Sequence, residues 1–472
     1  MTLRVAVVGS GPAGFYAAGH LLDAAESVEV DMFERLPTPW GLVRFGVAPD
    51  HPKIKAVSKA FERIAAQPGF RFLGGVQVGR DLTHEDLARL YDAVVYAVGA
   101  QSDRRMGIPG EDLPGSWSAT EFVAWYNGHP DYQELRFDLS GERAVVVGAG
   151  NVALDVVRML ALAPDEIRPT DTTDEAIEAI LGSGIREIVL LARRGPAQAA
   201  FTTPELKELG ELADADVVVD PADLELDDAS AAALEHDTNA RRNVEVLREY
   251  AARPPAGKSR AVRLRFAVSP VAILGENRVE AIEIVRNRLV PDESGRVSAE
   301  PTDEYETIPC GIVFRSVGYL GVELPGVPFD ARRATIPNDC GRVTSTAGVY
   351  CAGWIKRGPS GVFGTNKKDA TETIDLLLED AREGKLHRGD PSATAETVDE
   401  LLASRGVDHV TYAGWEAIDA EERGRGEPLG RPRVKLVTWS ELHDAARREG
   451  TGFSLSPGLS QVPPEGRGQA RT

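Results

Sequence analysis

The sequence predicts an α/β chain of two parallel-sheet units, the second inserted into a discontinuous first. Three observations carry this. Two strand–glycine–helix units stand far apart in the chain, each followed by another apolar strand. Both halves also contain a buried strand that stops at a glycine. Late in the chain, residues 348–354 return to the same kind of strand and end in Gly353-Trp354.

The elements follow in order. Leu3–Val8 reads as a buried strand. Gly9-Ser10-Gly11-Pro12-Ala13-Gly14 comes directly after it, then a helical stretch over 15–25 and a strand over 28–34 ending in Glu34. Residues 91–100 read as a further buried strand that stops at Gly99. The second unit opens with Arg143–Val147 and Gly148-Ala149-Gly150-Asn151-Val152-Ala153, with a helix to about Leu162. Residues 163–184 begin rich in Asp, Glu, Thr and Pro and read as an exposed loop with a short helix. A strand over 188–192 runs into Arg193-Arg194-Gly195, and residues 310–318 close this half. A helix over 365–383 follows the late strand. Residues 390–450 read as mixed helix and strand without a chemical motif, and the Pro/Gly/Ser-rich end as a disordered tail. The expected division is 1–102 and 319–453 for the first domain, 103–318 for the inserted one and 454–472 for the tail.

Composition removes several function classes. A net charge of −20, from 53 basic and 73 acidic residues, argues against a general nucleic-acid binder or a protein of anionic membranes. No apolar run approaches the ~18 residues of a membrane span. Three widely spaced cysteines (Cys310, Cys340, Cys351) argue against a disulfide scaffold, a protein-ligated iron–sulfur cluster, a zinc ribbon and a dithiol relay, so no metal is expected. The first strand begins at Leu3, leaving no stretch for a signal peptide, and the expected location is cytoplasmic.

The glycine loops carry the chemistry. A pyrophosphate must approach a backbone closely, and a strand-to-helix turn offers it the free N–H groups of a helix N-terminus. Gly9 would allow the tight turn, Gly11 the close approach and Gly14 the packing of helix on strand. Glu34 lies 20 residues beyond Gly14, where an acid accepts hydrogen bonds from ribose hydroxyls. In the second loop Ala153 replaces the third glycine, and Arg193 and Arg194 stand where the first unit has Glu34. An acid there would repel a 2′-phosphate, whereas guanidinium pairs with it. The expected pair is therefore FAD on the first loop and NADPH on the second, with hydride passing between them.

Three longer motifs carry a resemblance. Residues 37–53 (PTPWGLVRFGVAPDHPK), residues 193–202 (RRGPAQAAFT), and residues 353–361 with 364–370 (GWIKRGPSG, GTNKKDA) closely resemble the adrenodoxin reductase family of NADPH:ferredoxin reductases, in the family's order. The resemblance spans about residues 3–378, with a weaker collinear extension. It implies a glutathione-reductase-like pair of Rossmann domains, non-covalent FAD, NADPH as donor, a small iron–sulfur ferredoxin as acceptor, and a monomer. It places flavin contacts on Ala13, Glu34, Leu42, Val78, Trp354 and Gly361-Val362-Phe363. It places NADP contacts on Asn151, Val152, Ala153, Arg193, Arg194, Glu205 and Gly361. His51 and Glu208 fall where the family is proposed to arrange nicotinamide and flavin. For His51 an alternative stays open, since it could simply cap the helix that begins near Pro52.

Charge segregation bears on the partner. Residues 241–265 hold eight basic side chains against Glu245 and Glu249, whereas residues 205–235 hold eleven acids and one lysine. An acidic ferredoxin would be expected to dock near Arg241, Arg242 and Arg248. Two other readings remain: a pyridine-nucleotide subunit of a larger assembly, like the small subunit of glutamate synthase, or a diaphorase with a different acceptor. The first predicts a cysteine-rich N-terminal region that this sequence does not show.

Overall fold

The computed structural model describes residues 2–24, 26–292, 297–344, 346–361, 363–386 and 389–448, so the expected tail at 454–472 lies outside the described residues. Two parallel sheets dominate. The first has the strand order Asn338–Asp339, Arg342–Val343, Val349–Cys351, Ala93–Tyr96, Leu3–Val8, Val28–Glu34, Phe70–Gly74. Its four pairings among the other five strands run parallel, with Val5 between Val30 and Ala93, and the two short edge strands are antiparallel. Alternate residues of Leu3–Val8 feed different cores. Val5 and Val7 pack with Phe15, Leu21 and Ile374, whereas Ala6 and Val8 pack with Leu87, Leu90 and Val398. Burial on both faces is why residues 5–8 read as an unbroken apolar run.

The second sheet is wholly parallel: Ser116–Ser118, Ile312–Arg315, Arg143–Val147, Glu187–Leu191, Arg260–Arg265, Ala215–Val219. A three-stranded antiparallel sheet, Val268–Leu274, Ala281–Pro291 and Val297–Pro309, covers one of its faces through Ile273, Ile282 and Ile284 against Val145, Val189 and Leu191. The first sheet draws strands from both ends of the chain and the second only from between them. The two crossings run side by side, because Ser102–Asp103 pairs antiparallel with Tyr319–Leu320.

Two expectations need correction. Residues 163–184 are not an exposed loop. Helices Pro164–Ile167 and Asp174–Leu181 flank a buried turn in which Thr170, Asp171, Thr172 and Thr173 are all at most 6% exposed. The threonine hydroxyls bond locally, and the Asp171 carboxylate and the Thr170 and Thr172 carbonyls are met by residues distant in sequence, so polarity there did not signal solvent. Residues 390–450 are mainly helical rather than mixed, with Ala395–Ser404, Tyr412–Gly426 and Trp439–Ala446. This segment packs on the first sheet through Trp415, Ile418 and Leu442, and Val410 bridges Gly74. It also carries a buried ion pair. Glu422, with no exposed surface, takes Arg44 bidentately (2.9 and 2.5 Å), accepts from the Leu436 N–H (2.9 Å) and meets Arg433 at 3.1 Å.

Burial works against the Glu422 carboxylate, but Arg44 and Arg433 outweigh it and hold its pKa below the ordinary value. A lowered acid pKa contributes stability at neutral pH that fades as pH falls through the carboxylate range. Glu422→Gln should therefore destabilise the protein by about 3 kcal/mol at neutral pH, the usual cost of breaking a buried pair. The gap to wild type should narrow below about pH 4. Urea unfolding at the two pH values measures this, and a gap independent of pH would contradict it.

Candidate functional site

The first glycine loop is shaped by what surrounds it. Gly9 has φ +103°, and a Cβ there would lie 2.6 Å from the Ala97 carbonyl oxygen. A Cβ on Gly14 would lie 2.0 Å from the Gly9 oxygen, so helix Pro12–Leu22 can sit against the strand only through glycine. Gly11 differs, since nothing lies within 4 Å of its Cβ position. That open side of a helix N-terminus is a cradle for an anion. Glu34 stands beside it and accepts from the Ser10 N–H (3.1 Å) and Ser10 Oγ (2.6 Å).

Several segments expected to serve the flavin meet this loop or the helix behind it. Trp40 holds φ +84°, rare for so large a residue, and Gly41 follows at φ +50° with its Cβ direction 3.1 Å from Gly11 Cα. The Trp40 N–H donates to the Ser10 carbonyl (3.0 Å), and its ring meets Trp415 edge-on at 4.8 Å. Leu42 is 37% exposed after this turn, and Val78 is buried. Gly99, at φ +70°, follows the strand Ala93–Tyr96 with open space at its Cβ position. Gly353 packs on the first helix, where a Cβ would lie 2.7 Å from Ala13 Cβ. It thereby sets Trp354, whose indole Nε1 is buried without a hydrogen-bond partner among the described residues. Gly361 has φ +85° just ahead of helix Phe363–Arg382. Val362 and the Phe363 side chain lie outside the described residues.

The second loop repeats the logic. Gly148 has φ +141°, with its Cβ direction 2.2 Å from the Ser316 oxygen, and Gly150 is open. Ala153 is fully buried, and its methyl takes the place of the third glycine. Asn151 begins the helix Asn151–Ala161 and accepts from the Thr202 N–H at 2.8 Å; Val152 is half-buried beside it. Arg193 and Arg194 follow strand Glu187–Leu191, with Arg193 exposed.

Between the two units lies a cluster of charged side chains. His51 Nε2 is 2.6 Å from Glu208 Oε2 and 3.7 Å from Glu205 Oε2. His51 stands before helix Pro52–Lys55 but makes no capping bond, so the capping alternative is set aside. Arg158 pairs with Asp50 (2.6 Å) and Asp155 (2.8 Å) and reaches Glu205 (3.4 Å) and Glu208 (3.5 Å). Burial opposes charge on Arg158, but Asp155 and Asp50 outweigh it and hold the guanidinium firmly protonated. Burial pushes the Asp155 and Glu205 carboxyls up, while Arg158 holds Asp50 below its ordinary value. Sequence reasoning missed Asp50, Asp155 and Arg158. Asn151, Asp155 and Arg158 fall at i, i+4 and i+7, one face of the helix after the glycine loop, and that spacing was the available signal.

The basic segment is less free than its composition suggested. Lys258 and Arg260 donate to main-chain carbonyls at Leu212 and at Leu160 and Leu162; Arg263 meets Glu187, and Arg265 meets Glu306 and Asp223. Arg241, Arg242 and Arg248 lie exposed on helix Thr238–Ala252. That helix packs behind the one carrying Glu205 and Glu208, through Asn243 to Thr203 Oγ1 (2.7 Å).

Comparison with known proteins fits this geometry. Residues 3–194 match the pyridine nucleotide-disulphide oxidoreductase family. The chain is 53% identical over 447 residues to NADPH-ferredoxin reductase FprA of Mycobacterium tuberculosis, covering 93% of this chain and 98% of that one. The chain belongs to the adrenodoxin reductase family. The mitochondrial NADPH:adrenodoxin oxidoreductase of Homo sapiens is 44% identical over 455 residues, 93% of this chain and 91% of that one. The structure of M. tuberculosis FprA in complex with NADPH superposes with a TM-score of 0.91 at 52% identity, over 95% of this chain and all of that one. The three cysteines of this adrenodoxin reductase relative are free, Cys310 and Cys351 buried and Cys340 exposed.

Proposed function

We propose that the protein is an NADPH-dependent flavoprotein, a ferredoxin–NADP+ reductase that takes hydride from NADPH onto FAD and delivers single electrons to an iron–sulfur ferredoxin. The observation that carries it is the pair of open glycine loops, Gly11 beside Glu34 and Gly150 in the unit that carries Arg193 and Arg194. The residues fit both groups: each loop leaves space where a Cβ would otherwise point, and Trp354 Nε1 is a buried donor in want of an acceptor. Bound flavin supplies the step from two-electron to one-electron transfer.

The chain's own residues bind and orient. Gly9, Gly11, Ala13 and Gly14 with Glu34, Leu42, Val78, Gly99, Trp354 and Gly361-Val362-Phe363 hold FAD in this reading. Gly148, Gly150, Asn151, Val152 and Ala153 with Arg193, Arg194 and Glu205 hold NADPH. Hydride transfer needs no protein acid or base, so His51 and Glu208 act in positioning and in holding a proton at His51 Nε2. Each comes from a different side of the junction, so their 2.6 Å contact registers one unit against the other. The carboxylates of Asp50, Glu205 and Glu208 outnumber the cations there, which favours the positive ring that nicotinamide becomes on losing hydride.

The domain limits at 102 and 318, a monomeric state and a cytoplasmic location belong to the same reading; among the described residues no helix is long and apolar enough to cross a membrane. The decisive experiment is anaerobic. The yellow protein is reduced with NADPH, freed of nucleotide and mixed with an oxidised iron–sulfur ferredoxin, both chromophores being followed. Transfer that quickens at low salt supports the reading; a reduced flavin that passes nothing to ferredoxin leaves only diaphorase chemistry.

The acceptor docks, in this reading, on the exposed arginines of helix Thr238–Ala252. Charge reversal at Arg241, Arg242 and Arg248 should slow ferredoxin reduction by on the order of tenfold or more at low salt, an effect on encounter that salt screens. Ferricyanide reduction should be unchanged. A parallel fall in both activities would move the docking face elsewhere.

A further inference from the structure

Away from the nucleotide loops, a second ionic cluster joins the two units. Asp171, in the buried turn before helix Asp174–Leu181, receives the Lys55 ammonium at 2.7 and 2.9 Å and that of Lys435 at 3.2 Å. Asn127 Oδ1 accepts from both lysines at 3.2 Å, and the Lys435 ammonium also reaches the Arg44 carbonyl at 3.4 Å. Arg431 grips the same turn on either side, donating to the Thr170 carbonyl (2.9 Å) and the Thr172 carbonyl. The Asp171 and Lys435 side chains are 8% and 1% exposed, and Lys55 is 16% exposed.

The origins of these groups are what matter. Asp171 and Asn127 lie in the part of the chain that builds the second sheet. Lys55 lies within the first unit, and Lys435 and Arg431 belong to the C-terminal segment packed on it through Trp40 and Trp415. Lys55 follows His51 by four residues, across the single turn Pro52–Lys55. Any slip of the Asp171 turn against Lys55 therefore drags His51 relative to Glu208.

We propose that Asp171 is a positioning residue, clamped between Lys55 and Lys435, that sets the angle at which the two nucleotide-binding units meet. The inference rests on the function proposed above. A buried ion cluster is a poor source of stability, because well-packed apolar residues do as well or better. What it supplies is geometry: two ammonium groups and one carboxylate satisfy each other in one arrangement and are left uncompensated in any other. Burial pulls both lysines below their ordinary range against the attraction of Asp171, and the lysines in turn hold the Asp171 carboxyl well below its own. Misalignment at hydride-transfer distance is costly, so a small change of angle at this hinge is felt at the nicotinamide.

The test uses FAD-loaded full-length protein and the variants Asp171→Asn, Asp171→Glu and Lys55→Met. Asp171→Asn should lower the limiting rate of flavin reduction by NADPH by on the order of ten- to a hundredfold. The dissociation constant for NADP+ should stay unchanged, and small-angle scattering should broaden as the units swing. Lys55→Met should move both readings the same way by less, and Asp171→Glu should recover part of the rate. Unaltered rate and scattering with a lowered melting temperature would make the cluster merely structural and overturn the proposal. If Asp171→Asn fails to hold flavin, Lys55→Met decides by the same two readings. A wild-type flavin that NADPH cannot reduce would sink the proposed function instead, and scattering would still judge the clamp.

Discussion

Replacing Arg193 and Arg194 with alanine is expected to raise KM for NADPH by on the order of a hundredfold while leaving KM for NADH nearly unchanged. A charge-assisted hydrogen bond is worth about 1.5–3 kcal/mol, and two of them would give more than that factor. Arg193 is exposed, so screening by solvent and salt trims the sum. The turn should survive the loss of both side chains because its main chain is held independently. The Arg193 carbonyl accepts from Asn287 Nδ2 at 2.8 Å, and the Arg194 carbonyl accepts from the Ala267 N–H at 3.0 Å. Steady-state kinetics with the two nucleotides measures the ratio. Equal effects on both would remove the 2′-phosphate from these arginines.

The first glycine loop offers a sharper contrast. Gly11→Val should yield a folded but colourless protein, and Gly14→Val should not yield a folded one. At Gly11 no atom lies within 4 Å of the new Cβ, so the native backbone accepts it, yet the added branches fill the space a pyrophosphate needs. At Gly14 the Cβ would sit 2.0 Å from the Gly9 oxygen, and strand and helix must separate. Overpacking of that kind, against backbone rather than a flexible side chain, has no cheap relaxation. Visible absorbance per mole of purified protein reports flavin retention, and far-ultraviolet circular dichroism reports folding. A yellow Gly11→Val protein would place the flavin pyrophosphate away from this loop.

The two-unit architecture was legible because its signals are local. A strand, a glycine turn and a helix occupy about twenty contiguous residues, and the turn's spacing is legible there even though the atoms that exclude a side chain at Gly9 and Gly148 belong to Ala97 and Ser316. The longer motifs of the resemblance extended the reading to the flavin side. The ion pairs were not legible. Arg44 and Glu422 stand 378 residues apart, and Arg158 and Asp50 stand 108 apart. No periodicity relates such positions, and a charged residue in sequence looks alike whether it meets water or a buried partner. The same blindness turned residues 163–184 into a loop and left 390–450 without a role, though Arg431, Lys435 and Glu422 come from it. It also put Lys258, Arg260, Arg263 and Arg265 into one basic count with Arg241, Arg242 and Arg248, although each of the four is tied within the fold.

By itself, then, the sequence determined the fold class and the insertion of one parallel-sheet unit into another, and it supplied the proposed contrast between a loop beside Glu34 and one read together with Arg193 and Arg194. Only the tertiary structure decided that His51 meets Glu208 rather than capping its helix, that Arg158 ties Asp50 to Asp155, and that Asp171 is held by two lysines. The reason is physical. A turn's conformation is set by the sterics of adjacent residues, whereas the state of a buried charge depends on which distant segment the fold brings opposite it.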